Sequence, residues 1–215
     1  AVPKETVSGE RRVALDPTMA ERFVKLGVEM LVEKGAGLSA FFADEVYAKS
    51  SRVASDARAL YAEADVVFKV QAPTLEEVEL LKDGSVLLAV LQPHRNLELV
   101  KRLRDKHITS FAMELIPRIS RAQSMDVLSS QAAVAGYFVA LRAAALASGF
   151  FPMLTTAAGT IRPSKVVIVG AGVAGLQAIA TCRRLGAMVE AYDIRPAARQ
   201  EIESLGAKMI DTGVN

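Results

Sequence analysis

Scarcity bounds this 215-residue chain before any motif does. It holds one cysteine, Cys182, which excludes an internal disulfide framework and fits a reducing compartment. Charge of either sign is never concentrated. The 26 basic and 24 acidic residues leave a net +2 with no basic block, so a nucleic-acid partner has no electrostatic support. A leader-like opening is lacking, because Ala1 to Glu10 already carries Pro3, Lys4 and Glu5 and no apolar core. Long apolar runs are few. Val127 to Leu141 carries no charge but holds only 15 residues, short of the ~20 a spanning helix needs. Ala143 to Ile161 is interrupted by Gly149, Pro152 and Gly159. A buried helix followed by a loop is expected, with no direct membrane span. No metal site is assigned.

What is present is globular chemistry for one or two domains, 51% hydrophobic against 23% charged. Four short apolar runs read as strands: Val28 to Gly37, Ala64 to Pro73, Gly84 to His94 and His107 to Pro117. Between them lie "DPTMAERFVKL", "SDARALYAEA", "TLEEVELLK" and "NLELVKRLRD". Each opens on a residue suited to an N-cap and repeats apolar residues at helical spacing. Strand alternating with helix predicts parallel pairing and right-handed crossovers. This is a first α/β domain, residues 1–125. A helix from about Met125 to Ala147 follows, apolar nearly all round and so expected to be buried between two bodies. Residues 126–164 are read as this connecting helix and a linker, and residues 165–215 as the first half of a second α/β domain.

That second domain carries the most specific local signal. Val166 to Val169 is β-branched and apolar, as in a strand buried on both faces. Gly170, Gly172 and Gly175 follow in "GAGVAG". In such a loop the first glycine makes the turn, the second lets a phosphate approach, and the third lets the new helix pack on the strand. Val173 and Ala174 open that helix, whose free amides suit a pyrophosphate. The next strand ends at Asp193, 18 residues past Gly175, where a carboxylate can accept from ribose hydroxyls and repel a 2′-phosphate. Ile194 and Arg195 complete the candidate set. NAD(H) is therefore the expected cofactor. Arg195 could soften that preference by pairing with a phosphate; the plainer reading is a solvated surface arginine.

A polar cluster spans "MELIPRISRAQSMDVLSSQ", Met113 to Gln131. Its Arg118, Arg121, Gln123, Asp126, Ser129, Ser130 and Gln131 fit a solvated loop in which Asp126 or Ser124 caps the next helix. They also fit a polar ligand site, in which Arg118 pairs with Asp126 while Gln123 and Ser129 offer an amide and a hydroxyl.

The chain resembles the NAD(H)-binding component, domain I or alpha subunit, of proton-translocating transhydrogenases. "VPKE", "GERRVALDP", "MELIPRISRAQSMDVLSSQAAVAGY", "FPMLTTAAGTIRP" and "VGAGVAGLQAIATCRRLGAMVEAYDIR" carry the resemblance in order. It implies an α/β fold of two Rossmann-like parallel-sheet domains joined by a long helix, with the dinucleotide domain incomplete here. It implies that Gln123, Arg118, Asp126 and Ser129 serve the nicotinamide end, with Tyr137 beside them, and that Gly170, Gly172, Gly175 and Asp193 take the pyrophosphate and adenosine ribose. It further implies a homodimer and partners in an NADP(H)-binding domain and a membrane proton-channel domain. Its expected place is peripheral, on the cytoplasmic side of the inner membrane.

The rival enzyme is alanine dehydrogenase, of the same architecture. Arg12, Lys69 and His94 fall where its substrate residues stand. An arginine can grip a carboxylate, and a lysine or histidine can trade a proton. The plainer reading makes Lys69 solvated, His94 a loop residue, and Arg12 a brace for the first turn. A non-catalytic NAD-binding module is the third possibility.

Overall fold

A computed structural model describes residues 1–213 and divides the chain between Met125 and Asp126 into two compact units. The first is built as the alternating pattern predicts. Its elements are α1 (Pro17–Lys25), β1 (Leu31–Glu33), α2 (Asp44–Tyr47), β2 (Arg52–Ala54), α3 (Ala57–Glu63), β3 (Val66–Gln71), α4 (Leu75–Leu80), β4 (Val86–Val90), α5 (Leu97–Asp105) and β5 (Thr109–Ala112). β3, β4 and β5 pair in order and in parallel, and β1 pairs in parallel with β2.

Local chemistry sets the helix starts. Asp16 accepts from the Met19 amide at 2.8 Å, with Pro17 in the first turn. Asp56 accepts from the Ala59 amide at 2.9 Å. Thr74 and Glu77 exchange side-chain and backbone bonds as a capping box. Each such cap is worth about 1 kcal/mol. Asn96 departs from the expectation: its side chain makes no cap bond, and its amide donates instead to the Leu91 carbonyl at 2.7 Å. Leu60, Tyr61, Val67, Val78, Leu87 and Leu103 close the core between sheet and helices.

The second unit begins with α6 (Val127–Leu146), then β6 (Leu154–Thr156), β7 (Gly159–Ile161), β8 (Lys165–Val169), α7 (Val173–Arg184), β9 (Met188–Tyr192), α8 (Ala198–Ser204) and β10 (Lys208–Met209). β8, β9 and β10 form a parallel sheet in the order β10-β9-β8. This is the order of one half of a doubly wound nucleotide-binding fold. Ile179, Cys182, Val189, Ala191 and Ile202 fill its core.

Three expectations are corrected here. α6 is not enclosed: among its described residues only Gly136 and Ala140 are buried, and Leu128, Val134, Phe138, Val139 and Leu146 are exposed. Being apolar all round shows that a helix can be buried, not that these residues bury it. α6 is also 20 residues long and, by length and composition alone, apolar enough to cross a membrane. The uncharged run is shorter only because it ends before Arg142, which the helix includes. β8 is half covered rather than buried on both faces, with Val167 and Val169 exposed. Three strands also lie outside the sequence pattern: β2 is three residues in polar surroundings, and β6 and β7 make an antiparallel hairpin within the expected linker.

Gly136 explains how α6 packs. A β-carbon there would lie 2.1 Å from the Ala174 carbonyl oxygen and 2.9 Å from the Gln177 side chain. Glycine thus lets α6 rest on the first turn of α7. An interior helix glycine costs roughly 1 kcal/mol against alanine, and close backbone approach offsets that cost.

Candidate functional site

The glycine turn joins β8 to α7. Gly170 sits at φ +95°, a conformation L side chains rarely adopt, and its amide donates to the Tyr192 carbonyl at 2.7 Å. Gly172 is the N-cap of α7, and a β-carbon added there would meet nothing within 4 Å. A β-carbon on Gly175 would lie 1.8 Å from the Gly170 carbonyl oxygen. The three glycines therefore do different work: one turns, one leaves open space, one permits close packing.

The first turn of α7 has no side-chain cap and no acidic residue. Its amides carry the positive end of the helix dipole, and no carboxylate of its own sequence competes for them. Val173 is exposed and Ala174 half-buried at this start. Open space at Gly172 above uncapped amides fits a diphosphate.

Asp193 follows β9 and is buried, with 9% of its surface exposed. Its Oδ2 accepts from the Ala171 amide at 2.7 Å and its Oδ1 from the Arg195 amide at 2.8 Å. The Arg195 guanidinium adds Nε to Oδ1 at 3.0 Å and Nη2 to Oδ2 at 3.2 Å, and the same Nη2 donates to the Ala171 carbonyl at 3.1 Å. Arg195 is thus not simply a solvated arginine; it is paired across the turn. These bonds hold the Asp193 carboxyl far below the usual carboxylate range, the guanidinium most, then the amides of Arg195 and Ala171. Ile194, between the two, is exposed.

The polar cluster is resolved locally. Asp126 is the N-cap of α6; its Oδ1 accepts from the Ser129 amide at 2.9 Å and its Oδ2 from the Ser129 hydroxyl at 2.7 Å. The Ser129 proton is therefore committed, so toward a ligand this hydroxyl acts as an acceptor. Ser130 donates to the Val127 carbonyl. Gln123 lies exposed in a 3₁₀ turn, Ser120–Met125, and Arg118 and Arg121 are exposed around it. Tyr137 is half exposed on α6 next to Gly136.

The residues of the rival reading take other roles. Lys69 is not solvated: its side chain is 1% exposed, and its Nζ donates to Glu77 Oε1 at 2.8 Å and lies 3.7 Å from Glu5 Oε2. Tyr61 donates to the same Glu77 oxygen at 3.3 Å, and burial, then the charge of Glu77, pushes its phenol well above the ordinary range. Arg12 grips Glu10 through Nε and Nη2 at 2.7 and 2.6 Å. His94 is exposed in a turn.

Sequence reasoning missed Gly136 and the tie between Asp193 and Ala171. A glycine inside an apolar helix was the available signal for the first. The second joins residues 22 apart and had no local mark.

Similarity to known proteins follows the same division. The family model for the alanine dehydrogenase/PNT N-terminal domain matches residues 1–135, and that for the C-terminal domain matches residues 139–215. An NAD(P) transhydrogenase subunit alpha chain of Rhodospirillum rubrum is 48% identical over 98% of this chain, which spans 56% of that relative. The crystal structure of a transhydrogenase from Sinorhizobium meliloti superposes with a TM-score of 0.95 at 45% identity, over 99% of this chain and 64% of that one. An alanine dehydrogenase of Methanococcus maripaludis is 32% identical over 98% of this chain and 57% of its own length. The chain thus covers little more than half of the curated relatives named here, and with both domain models matched it belongs to the alanine dehydrogenase/PNT family.

Proposed function

We propose that the chain is the NAD(H)-binding component of a proton-translocating transhydrogenase. Hydride passes between NADH and NADP+ held on a partner domain, and a membrane domain couples the transfer to proton movement. The protein works as a homodimer, peripheral to the cytoplasmic face of the inner membrane. The uncapped start of α7 with open space at Gly172 carries the dinucleotide reading. The names of the Rhodospirillum and Sinorhizobium relatives support the transhydrogenase reading over alanine oxidation.

Bound NAD(H) supplies the hydride. Backbone amides of Val173, Ala174 and Gly175 hold the diphosphate, and Asp193 serves the adenosine ribose. Ser129 accepts a hydrogen bond from the carboxamide, while Arg118 and Asp126 fix the loop and Gln123 orients the nicotinamide ring or its ribose. No acid or base is required, since direct transfer between two rings releases no proton at the reacting carbon. The chain's task is to align its ring with a second one at roughly 3–3.5 Å.

The sealed Lys69 also supports this choice, because its ammonium is enclosed and held by carboxylates rather than presented to an amino acid. Alanine dehydrogenase is the second reading, favoured by the Methanococcus relative. Two measurements decide. Gln123→Asn in the assembled protein should cut hydride transfer by roughly ten- to a hundredfold with a much smaller loss of NADH binding. Equal losses in both would reduce Gln123 to a binding residue. Steady NADH formation from NAD+ and L-alanine would defeat the transhydrogenase assignment. NADH binding without transfer to any NADP+ partner would leave a non-catalytic binding module.

A further inference from the structure

A carboxylate offers about four lone-pair sites. At Asp193 four protein donors meet them: the amides of Ala171 and Arg195, and Nε and Nη2 of the Arg195 guanidinium. A ribose diol that bonds this carboxylate needs two of those positions, so protein donors must give way. The two amides belong to backbone. Ala171 is fully buried in the glycine turn and cannot withdraw without moving it. The guanidinium is different. Its side chain is 56% exposed on a flexible stem, and its departure breaks no backbone–backbone bond.

We infer that the Arg195 guanidinium and the adenosine ribose hydroxyls are alternative occupants of the Asp193 carboxylate, so that Arg195 sets both the affinity for NAD(H) and the margin against NADP(H). This rests on the dinucleotide reading above. Two opposed consequences follow from one displacement. NAD(H) must overcome the ion pair before it reaches Asp193, which lowers its affinity. Once displaced, the guanidinium leaves from the same oxygens the ribose takes up, next to its 2′ position. There its charge offsets the repulsion between Asp193 and a 2′-phosphate. Asp193 sets the preference for the unphosphorylated ribose, and Arg195 tempers it.

Equilibrium titration of NADH and NADPH against the protein and its variants tests this. Arg195→Ala should tighten NADH by roughly two- to fivefold, the worth of losing one half-exposed competing ion pair, and should weaken NADPH. Arg195→Lys, which keeps the charge but not the two-point grip, should fall between. Asp193→Ala should weaken NADH and strengthen NADPH, and that NADPH gain should vanish in the Asp193→Ala, Arg195→Ala double variant. Thermal melts of each variant identify any loss that comes from unfolding. Weaker NADH binding by a folded Arg195→Ala protein would overturn the competition and make Arg195 a cofactor holder. An unsubstituted protein that binds neither dinucleotide would overturn the dinucleotide reading itself.

Discussion

A β-carbon on Gly175 would stand 1.8 Å from the carbonyl oxygen of Gly170, whereas one on Gly172, in the same loop, would touch nothing within 4 Å. The two glycines thereby separate packing from ligand approach. Gly175→Ala forces α7 away from the turn and should cost about 1–3 kcal/mol by overpacking, read as a lowered unfolding midpoint. Gly172→Ala has an ordinary φ of −76° and open space, so stability should hold within about 0.5 kcal/mol. Its methyl projects where the diphosphate is placed, and NADH affinity should fall by tenfold or more, roughly the 1.4 kcal/mol of one misplaced contact. Denaturant unfolding and NADH titration of the two variants check both claims. If Gly172→Ala binds NADH unchanged, the diphosphate does not lie over that position.

Lys69 and Glu77 make the opposite kind of prediction. The ammonium is enclosed with two carboxylates, and Glu5 is itself anchored by the Val70 amide at 2.6 Å. Lys69→Met would leave Glu5 and Glu77 buried without their cation, at a cost of about 3–5 kcal/mol. Adding Glu77→Gln should restore some of that loss by removing one of the stranded charges. Urea unfolding of the single and double variants measures the recovery. A stable Lys69→Met protein that had lost oxidation of L-alanine would instead make the lysine a substrate residue.

Much of the site is legible in the sequence because the constraint is local. Gly170 to Gly175, the strand before them and Asp193 after them are fixed by turn geometry and chain length, so spacing alone locates them. The capping residues Asp16, Asp56 and Thr74 act within three residues and are equally readable. What fails depends on distant partners. Lys69 reads as solvated because its flanks say nothing about Glu5, which the fold brings in from the N-terminal segment. Arg195 reads as solvated when Asp193 is assigned wholly to ribose, which leaves the arginine no partner. α6 reads as buried because composition reports what a helix could bury and not which neighbours are present. The hairpin of β6 and β7 is hidden by its threonines and by Gly159, which read as linker.

The N-terminal segment offers a test by pH. Glu10 is nearly buried and accepts from Arg12 Nε and Nη2 and, at 2.7 Å, from the side-chain amide of Gln71 at the end of β3. The Arg12 hydrogen bonds lower its pKa most; burial opposes them, Gln71 and the Arg12 amide assist, and the value settles at about 2. A carboxyl whose pKa is depressed on folding adds stability that is fully present above its unfolded value, near 4.5, and is lost as pH falls through its folded value. Glu10→Gln removes that contribution at every pH. The unsubstituted protein should therefore melt higher than Glu10→Gln at pH 7, and the gap should shrink as pH falls from about 4.5 toward 2. Thermal melts across that range read the gap directly. Parallel curves for the two proteins would mean that the clasp of Glu10 on Arg12 and Gln71 adds nothing to the fold. That outcome would favour a role for Arg12 at the carboxylate of a substrate, as the alanine dehydrogenase reading requires.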